Sequence, residues 1–202
     1  MDILNTLPAL LGSSWASGIN LYLTTAALGI AQRMDWISLP GQLETLSHPL
    51  VILTAAALYV VEFVADKVPY VDSAWDSVHT VIRPIGGAAL GYMAMADAGP
   101  ALQLPVALLT GAVAADSHLT KATARVAINT SPEPFTNSIA SVAEDISVAT
   151  ILFLMVQHPV IATIAVILFI LFSIWFLKVM FRFLKRVFTW LFGGREEVKS
   201  TA

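Results

Sequence analysis

Between two apolar runs, the stretch LYVVEFVADKVPYVDSAWDSVHTVIRPIGGAAL, Leu58 to Leu90, carries Glu62, Asp66, Lys67, Asp72, Asp76, His79 and Arg83. Further along, Asp116 precedes Lys121 by five positions in DSHLTK, as Glu62 precedes Lys67 in EFVADK, and Glu144 adjoins Asp145 in SVAEDIS. Acids and bases placed inside apolar helices can bind a proton, a cation or a small charged solute. Each ionised side chain deep in a membrane helix costs about 2.5–3.5 kcal/mol, so these residues must face an interior and find partners there. The expected solute-contacting set is Asn20, Glu62, Arg83, Asp116, Glu144 and Asp145, with Lys67 and Lys121 balancing charge. Arg83 is expected to pair with Glu144 or Asp145, and the two lysines with acids of neighbouring helices. Counting Asp66 as well, five acids meet three bases in this set. The excess carboxylates must be protonated, hold a cation, or lie in water at the membrane boundary.

Two other patterns carry weaker chemistry. Asp72, Asp76 and His79 stand at i, i+4 and i+7, which on a helix is one face and a possible divalent-metal site; acids in a first helical turn are equally expected from the macrodipole. His118, close to Asp116, suits a proton relay, whereas His48 and His158 precede prolines and read as helix-start residues. No nucleophile elbow, phosphate-cradling loop or HExxH string is present, so no catalytic residue is assigned and no cofactor is expected. Asn129-Thr130-Ser131 matches a glycosylation acceptor, but the topology below puts it on the wrong side of the membrane.

The elements that position these groups follow from composition. With 57% hydrophobic and 12% charged residues and a mean hydropathy of +0.76, the chain is too apolar for an ordinary soluble domain of 202 residues. It contains no cysteine, which removes disulfides and thiolate metal sites, and its first residues lack the cationic region of a secretory signal. The fold class expected is all-α, an integral membrane bundle of about six spans: Leu10 to Ala31, Leu50 to Ala65, Val78 to Ala96, Leu104 to Ala124, Asn137 to Val156 and Val160 to Leu177. Pro49, Pro105 and Pro159 stand where a first helical turn tolerates a missing N–H. Overlaying these starts suggests three two-helix units, near 8–67, 77–121 and 136–178, about a pseudo-threefold axis, with Asn20, Arg83 and Glu144 equivalent. Gly12, Gly18, Gly29, Gly86, Gly87 and Gly91 offer surfaces for close helix contact, and SSWASG is a candidate helix break.

Six spans place ten of the eleven Lys and Arg residues on one side and Arg33 alone on the other. By the positive-inside rule, both termini are cytoplasmic and the localisation is an inner, cytoplasmic membrane. The domain division expected is 1–177 for the transmembrane unit, 178–192 for a basic amphipathic helix and 193–202 for a flexible tail. In the second of these, Lys178, Arg182, Lys185 and Arg186 share one face suited to anionic lipid headgroups. Gln32 to Pro49 is expected as an outer interfacial turn around Trp36, and INTSPEPF as a turn capping the fifth span or covering the polar layer.

The strings SWASGINLY, LYVVEFVADKVPYVDSAWDSVHTVIRP and TKATARVAINTSPEPFTNSIASVAED resemble a family of small bacterial multi-helix membrane proteins catalogued only as a domain of unknown function, over most of the chain up to about residue 175. The resemblance implies a membrane protein and carries no activity and no functional residue with it. The leading expectation from the residues is a small transporter or channel-like protein with a cytoplasm-facing polar pocket. The alternatives are a structural or lipid-binding membrane protein whose ion pairs only specify packing, and a metal-dependent enzyme of the inner leaflet using Asp72, Asp76 and His79. Partners expected are the lipid bilayer and a small charged solute; no nucleic acid is expected, and assembly with further copies is left open.

Overall fold

The computed structural model describes residues 3–68, 70–129 and 134–192, and they are all-helical, with no strand among them. Seven α-helices follow in chain order: α1 (Ile3–Ile19), α2 (Leu21–Arg33), α3 (Pro49–Ala65), α4 (Val71–Ala94), α5 (Pro100–Ile128), α6 (Pro134–Gln157) and α7 (Pro159–Phe192). A 3-10 turn, Gly41–Ser47, precedes α3, and a shorter one, Ala96–Ala98, precedes α5. Two helices, Phe135–Gln157 and Pro159–Arg186, are long and apolar enough to cross a membrane; a third candidate is the 3-10 turn plus α3, bent by 72°.

The first span expected as one helix is two. Asn20 leaves the helical region (φ −149°, ψ 98°), its side chain accepts from Leu23 N at 2.9 Å, and its carbonyl accepts from Thr24 N at 3.1 Å. Asparagine is among the best N-cap residues because its short side chain replaces a missing intrahelical acceptor. The break falls just after SSWASG. Within that string α1 instead packs tightly on α5: Ser14 Oγ donates to Thr110 O, and Ser117 Oγ donates to Trp15 O at 2.9 Å. A Cβ on Gly18 would strike the Ala114 carbonyl, so only glycine permits this approach. Gly87 and Gly91 of α4 similarly face Ala114 and Thr110 of α5.

Several boundaries move from those expected. α4 begins at Val71 rather than Val78, so Asp72 and Asp76 lie inside it. α5 begins at Pro100 after Gly99, which leaves Pro105 inside the helix, unlike Pro49 and Pro159 at their helix starts. His48 caps α3 as expected, its Nδ1 accepting from Leu50 N at 3.3 Å. The segment expected as an interfacial outer turn tucks inward: Leu43 and Leu46 are buried, and Gly41 (φ +59°) abuts the Met93 and Ala94 carbonyls, where a side chain has no room. α7 continues without a break from Pro159 to Phe192, so the stretch 178–192 expected as a basic amphipathic helix is the end of the same helix. The tail 193–202 lies outside the described residues.

The apolar core joins Leu10, Leu11, Trp15 and Ile19 of α1 to Leu28, Leu90, Val148, Leu152 and Val166 of the helices around it. Outward faces carry large apolar side chains, among them Leu53, Val60, Val81, Ile85, Leu104, Leu108, Phe153 and Leu168. Apolar outside and partly polar inside is the inverse of a water-soluble bundle.

Candidate functional site

On α4, Asp72, Asp76, His79 and Arg83 recur at helical spacing and are all buried. α5 answers with His118, Lys121 and Arg125 on one face, also buried. The end of α3 supplies Glu62 and Asp66, α6 supplies Asn137, Ser141 and Glu144, and the α1–α2 break supplies Asn20. All of these lie toward the end of the bundle where α3 and α5 finish and α4 and α6 begin.

Three cations organise the layer. Arg83 Nη2 meets Glu62 Oε1 at 2.5 Å, while its Nη1 lies 3.3 Å from Asp76 Oδ1 and donates to Gly18 O at 3.3 Å and to His118 Nδ1 at 2.8 Å. Lys121 Nζ stands 3.0 Å from Asp66 Oδ2, 3.3 Å from Glu144 Oε2 and 3.6 Å from Glu62 Oε1, and it donates to Ile19 O at 3.3 Å. Arg125 holds Glu144 with two bonds, Nε to Oε1 at 2.9 Å and Nη2 to Oε2 at 2.6 Å, and its Nη1 donates to Asp66 O and Asn137 O. A bidentate guanidinium–carboxylate pair is among the strongest polar contacts a protein makes. The carbonyls of Gly18 and Ile19 are available to Arg83 and Lys121 because the helix stops at Asn20: the C-terminal end of α1, with its partial negative charge, points at the two cations.

Five carboxylates (Glu62, Asp66, Asp72, Asp76 and Glu144) thus share three cations, two formal negative charges in excess. Glu62, Asp72, Arg83 and Arg125 are each 0% exposed, whereas the Glu144 side chain is 18% exposed and is where the layer reaches the surface. Glu62 Oε2, Asp66 Oδ1, Asp72 Oδ1 and both carboxyl oxygens of Asp76 lack a hydrogen-bond partner among the described residues. Buried acceptors left in this condition are costly, and a proton on one carboxyl offsets that cost by supplying a donor and removing a charge.

The two histidines are held by their neighbours. His79 Nδ1 lies 2.8 Å from the Trp75 carbonyl and donates to it, while Nε2 is 3.0 Å from Tyr22 Oη, a hydroxyl that can donate or accept. His118 Nδ1 accepts from Arg83, which leaves Nε2 to donate to Thr80 Oγ1 at 3.1 Å.

The expected residues converge in part. Glu62, Arg83, Glu144 and Lys121 meet in one layer, but Arg83 pairs with Glu62 and Asp76 rather than with Glu144 or Asp145, because the longer α4 turns Asp76 and Arg83 to the same side. Glu144 goes to Arg125 and Lys121. Asp145 stands beside the network, accepting from Asn20 Nδ2 at 3.1 Å and Tyr59 Oη at 2.9 Å. Lys67 meets no acid among the described residues: it donates to Phe63 O and Ser141 Oγ and lies over the Phe63 ring. Asp116 leaves the layer altogether, for α7. Asp72, Asp76 and His79 do share a face, yet among the described residues no three His, Asp or Glu side chains are disposed to hold a metal ion. Asp72 accepts from Asn129 Nδ2 at 3.0 Å, Asp76 faces cations, and His79 turns to Trp75 and Tyr22.

Sequence reasoning missed Arg125 and Asn137. The signal for Arg125 was its place four residues after Lys121 and seven after His118. Asn129 Nδ2 bonds Asp72 and Ser73, and its Oδ1 accepts from Asn137, which places the glycosylation-like asparagine inside the structure; residues 130–133 of that motif lie outside the described residues.

The model of a family described as Domain of unknown function (DUF4126) matches residues 7–179. No curated protein and no solved structure matches the chain.

Proposed function

The chain belongs to the DUF4126 family, and we propose that it is a proton-carrying membrane transporter whose buried acid-rich layer takes up and releases a proton. The observation that carries this reading is the excess of two carboxylates in a layer closed by its own side chains, with neither oxygen of Asp76 hydrogen-bonded. Side chains this fully enclosed leave no water-sized space for a solute beside Glu62 or Arg83, which favours the smallest cation. A helix broken in mid-chain, offering carbonyls to charged groups, is a device of transporters. Glu144 and Asp145 are the entry to the layer.

In this reading the 3-10 turn with α3, and α4, α5, α6 and α7, cross an inner membrane one each, while α1 runs to the charge layer from the end where Pro8 meets Trp36 and Pro159, and α2 returns to that end. α4 and α5 cross because their charges face inward and their outer faces are apolar. The end of α7 and the loops rich in Lys and Arg face the cytoplasm, the start of α1 lies at the opposite end beside Trp36 and Pro159 rather than in the cytoplasm as expected, and the cationic face from Lys178 to Arg186 meets anionic lipid.

The test is proton flux into liposomes that hold a pH-sensitive dye, driven by a potassium diffusion potential. Wild-type protein should acidify the lumen, Asp76→Asn should abolish the flux in a folded protein, and Glu144→Gln should slow it. A folded, reconstituted wild type that moves no protons ends the proposal.

A second reading is favoured by the saturation of Arg125, whose guanidinium is satisfied by Glu144, Asp66 and Asn137: the layer specifies how the helices pack. The two part on Asp76→Asn. Loss of an ionised, paired carboxylate costs about 3–5 kcal/mol of stability, whereas loss of a protonated one is nearly silent in thermal unfolding.

A further inference from the structure

Asp116 is a half-buried acid that the charge layer does not use. It makes no ion pair among the described residues, and its one side-chain partner there is Ser173 of α7, whose Oγ lies 2.6 Å from Asp116 Oδ2. Ser173 is fully buried, five residues before Lys178 in the apolar helix stretch Pro159–Arg186. The ionisable groups of the surrounding elements face elsewhere. α1 carries none, and α7 carries none between Pro159 and Leu177. Arg83 and Asp76 of α4 face each other, His118 on the same helix as Asp116 faces Arg83, and Glu144 of α6 faces Arg125.

The hydroxyl of Ser173 has one hydrogen and two acceptors in reach. Its Oγ lies 2.6 Å from Asp116 Oδ2 and 2.9 Å from the Ile170 carbonyl of its own helix. A hydroxyl in an apolar helix satisfies itself on the backbone one turn back, and when Ser173 does so its hydrogen points away from Asp116. The short contact then needs a hydrogen from the carboxyl. An ionised Asp116 would instead sit in the apolar part of the bundle with a single donor and, among the described residues, no cation.

We propose that Asp116 and Ser173 form a second proton-binding site, separate from the charge layer, in which the neutral acid donates through Oδ2 to Ser173 Oγ and Ser173 donates on to Ile170 O. The ligand is a proton, held at the α5–α7 seam, where Asp116 is only half-buried and borders the apolar phase. This site stands whether or not the charge layer carries protons.

A protonated carboxyl reachable from lipid is the target of a hydrophobic carbodiimide. The acid proton passes to one carbodiimide nitrogen, the carboxylate oxygen bonds the central carbon, and an oxygen-to-nitrogen acyl shift leaves a stable N-acylurea with no leaving group. Purified full-length protein in nanodiscs is treated with dicyclohexylcarbodiimide at neutral pH and mapped by peptide mass spectrometry. The expected result is an adduct on Asp116 that is absent from Asp116→Asn and declines as the pH is raised, while Glu62 and Asp76 stay unmodified. Infrared spectra of the wild type should show a protonated-carboxyl carbonyl band missing from the variant. An unmodified Asp116, or labelling that does not fall at high pH, overturns the proposal, and this wild-type measurement decides it even where the variant fails to fold.

Discussion

α5 and α7 are the two longest helices, of 29 and 34 residues, and they solve opposite problems. α5 is held on two sides: α1 and α4 approach it through Gly18, Gly87 and Gly91, and its inner face carries His118, Lys121 and Arg125, all buried. α7 buries only Ala162, Val166 and Ser173 among its described residues and turns Leu168, Leu171, Phe172 and Trp175 outward. One helix is fixed by backbone proximity and buried charge, the other by a narrow stripe and one polar contact. The difference teaches that apolarity and centrality are separate properties here. The long apolar helix α7 buries little of its surface, and the helix richest in buried cations is the one on which α1 and α4 pack.

That contrast can be broken at graded cost. Arg83→Ala strands Glu62 and Asp76 without their shared cation and should destabilise by about 3–5 kcal/mol in denaturant titration of the micellar protein. Glu144→Gln removes the charge from the Arg125 pair at its one partly exposed point, for a loss of about 1.5–3 kcal/mol by the same titration. Gly18→Ala drives a methyl group into the Ala114 carbonyl and should cost about 1–3 kcal/mol, read as a lowered Tm. At the far end, Leu168→Val on the outward face of α7 should stay within about 0.5 kcal/mol of wild type. A reversed order, with the α7 change heavier than the α5 contact, would show that α7 is a structural centre after all.

The polar layer was legible in the sequence because a charge inside an apolar helix is expensive, so Glu62, Arg83, Lys121 and Glu144 could be expected together without any coordinates. Their partners were not, since pairing depends on how each helix is rotated about its axis. Beginning α4 one or two turns earlier was enough to give Arg83 to Asp76 and Glu62 and to free Glu144 for Arg125. Asp116 matched Glu62 in its spacing to a lysine, yet it points to α7, because spacing along one helix does not say which neighbour stands opposite. α4 and α5 do not count as candidate spans by hydropathy, since their inward charges lower their averages. The break at Asn20 had a local signal, an asparagine before an apolar run, which was read as a polar group rather than as a cap.

The unbroken course of α7 makes it a gauge. From Pro159 to Leu177 it has no charge, and 19 residues at 1.5 Å each measure about 28 Å, close to the hydrocarbon thickness of a bilayer. In the proposed membrane arrangement Lys178 falls where hydrocarbon ends. With no joint after it, the height of Arg182, Lys185 and Arg186 is set by the length of what precedes them, and adding or deleting one apolar turn would raise or sink all four cations together.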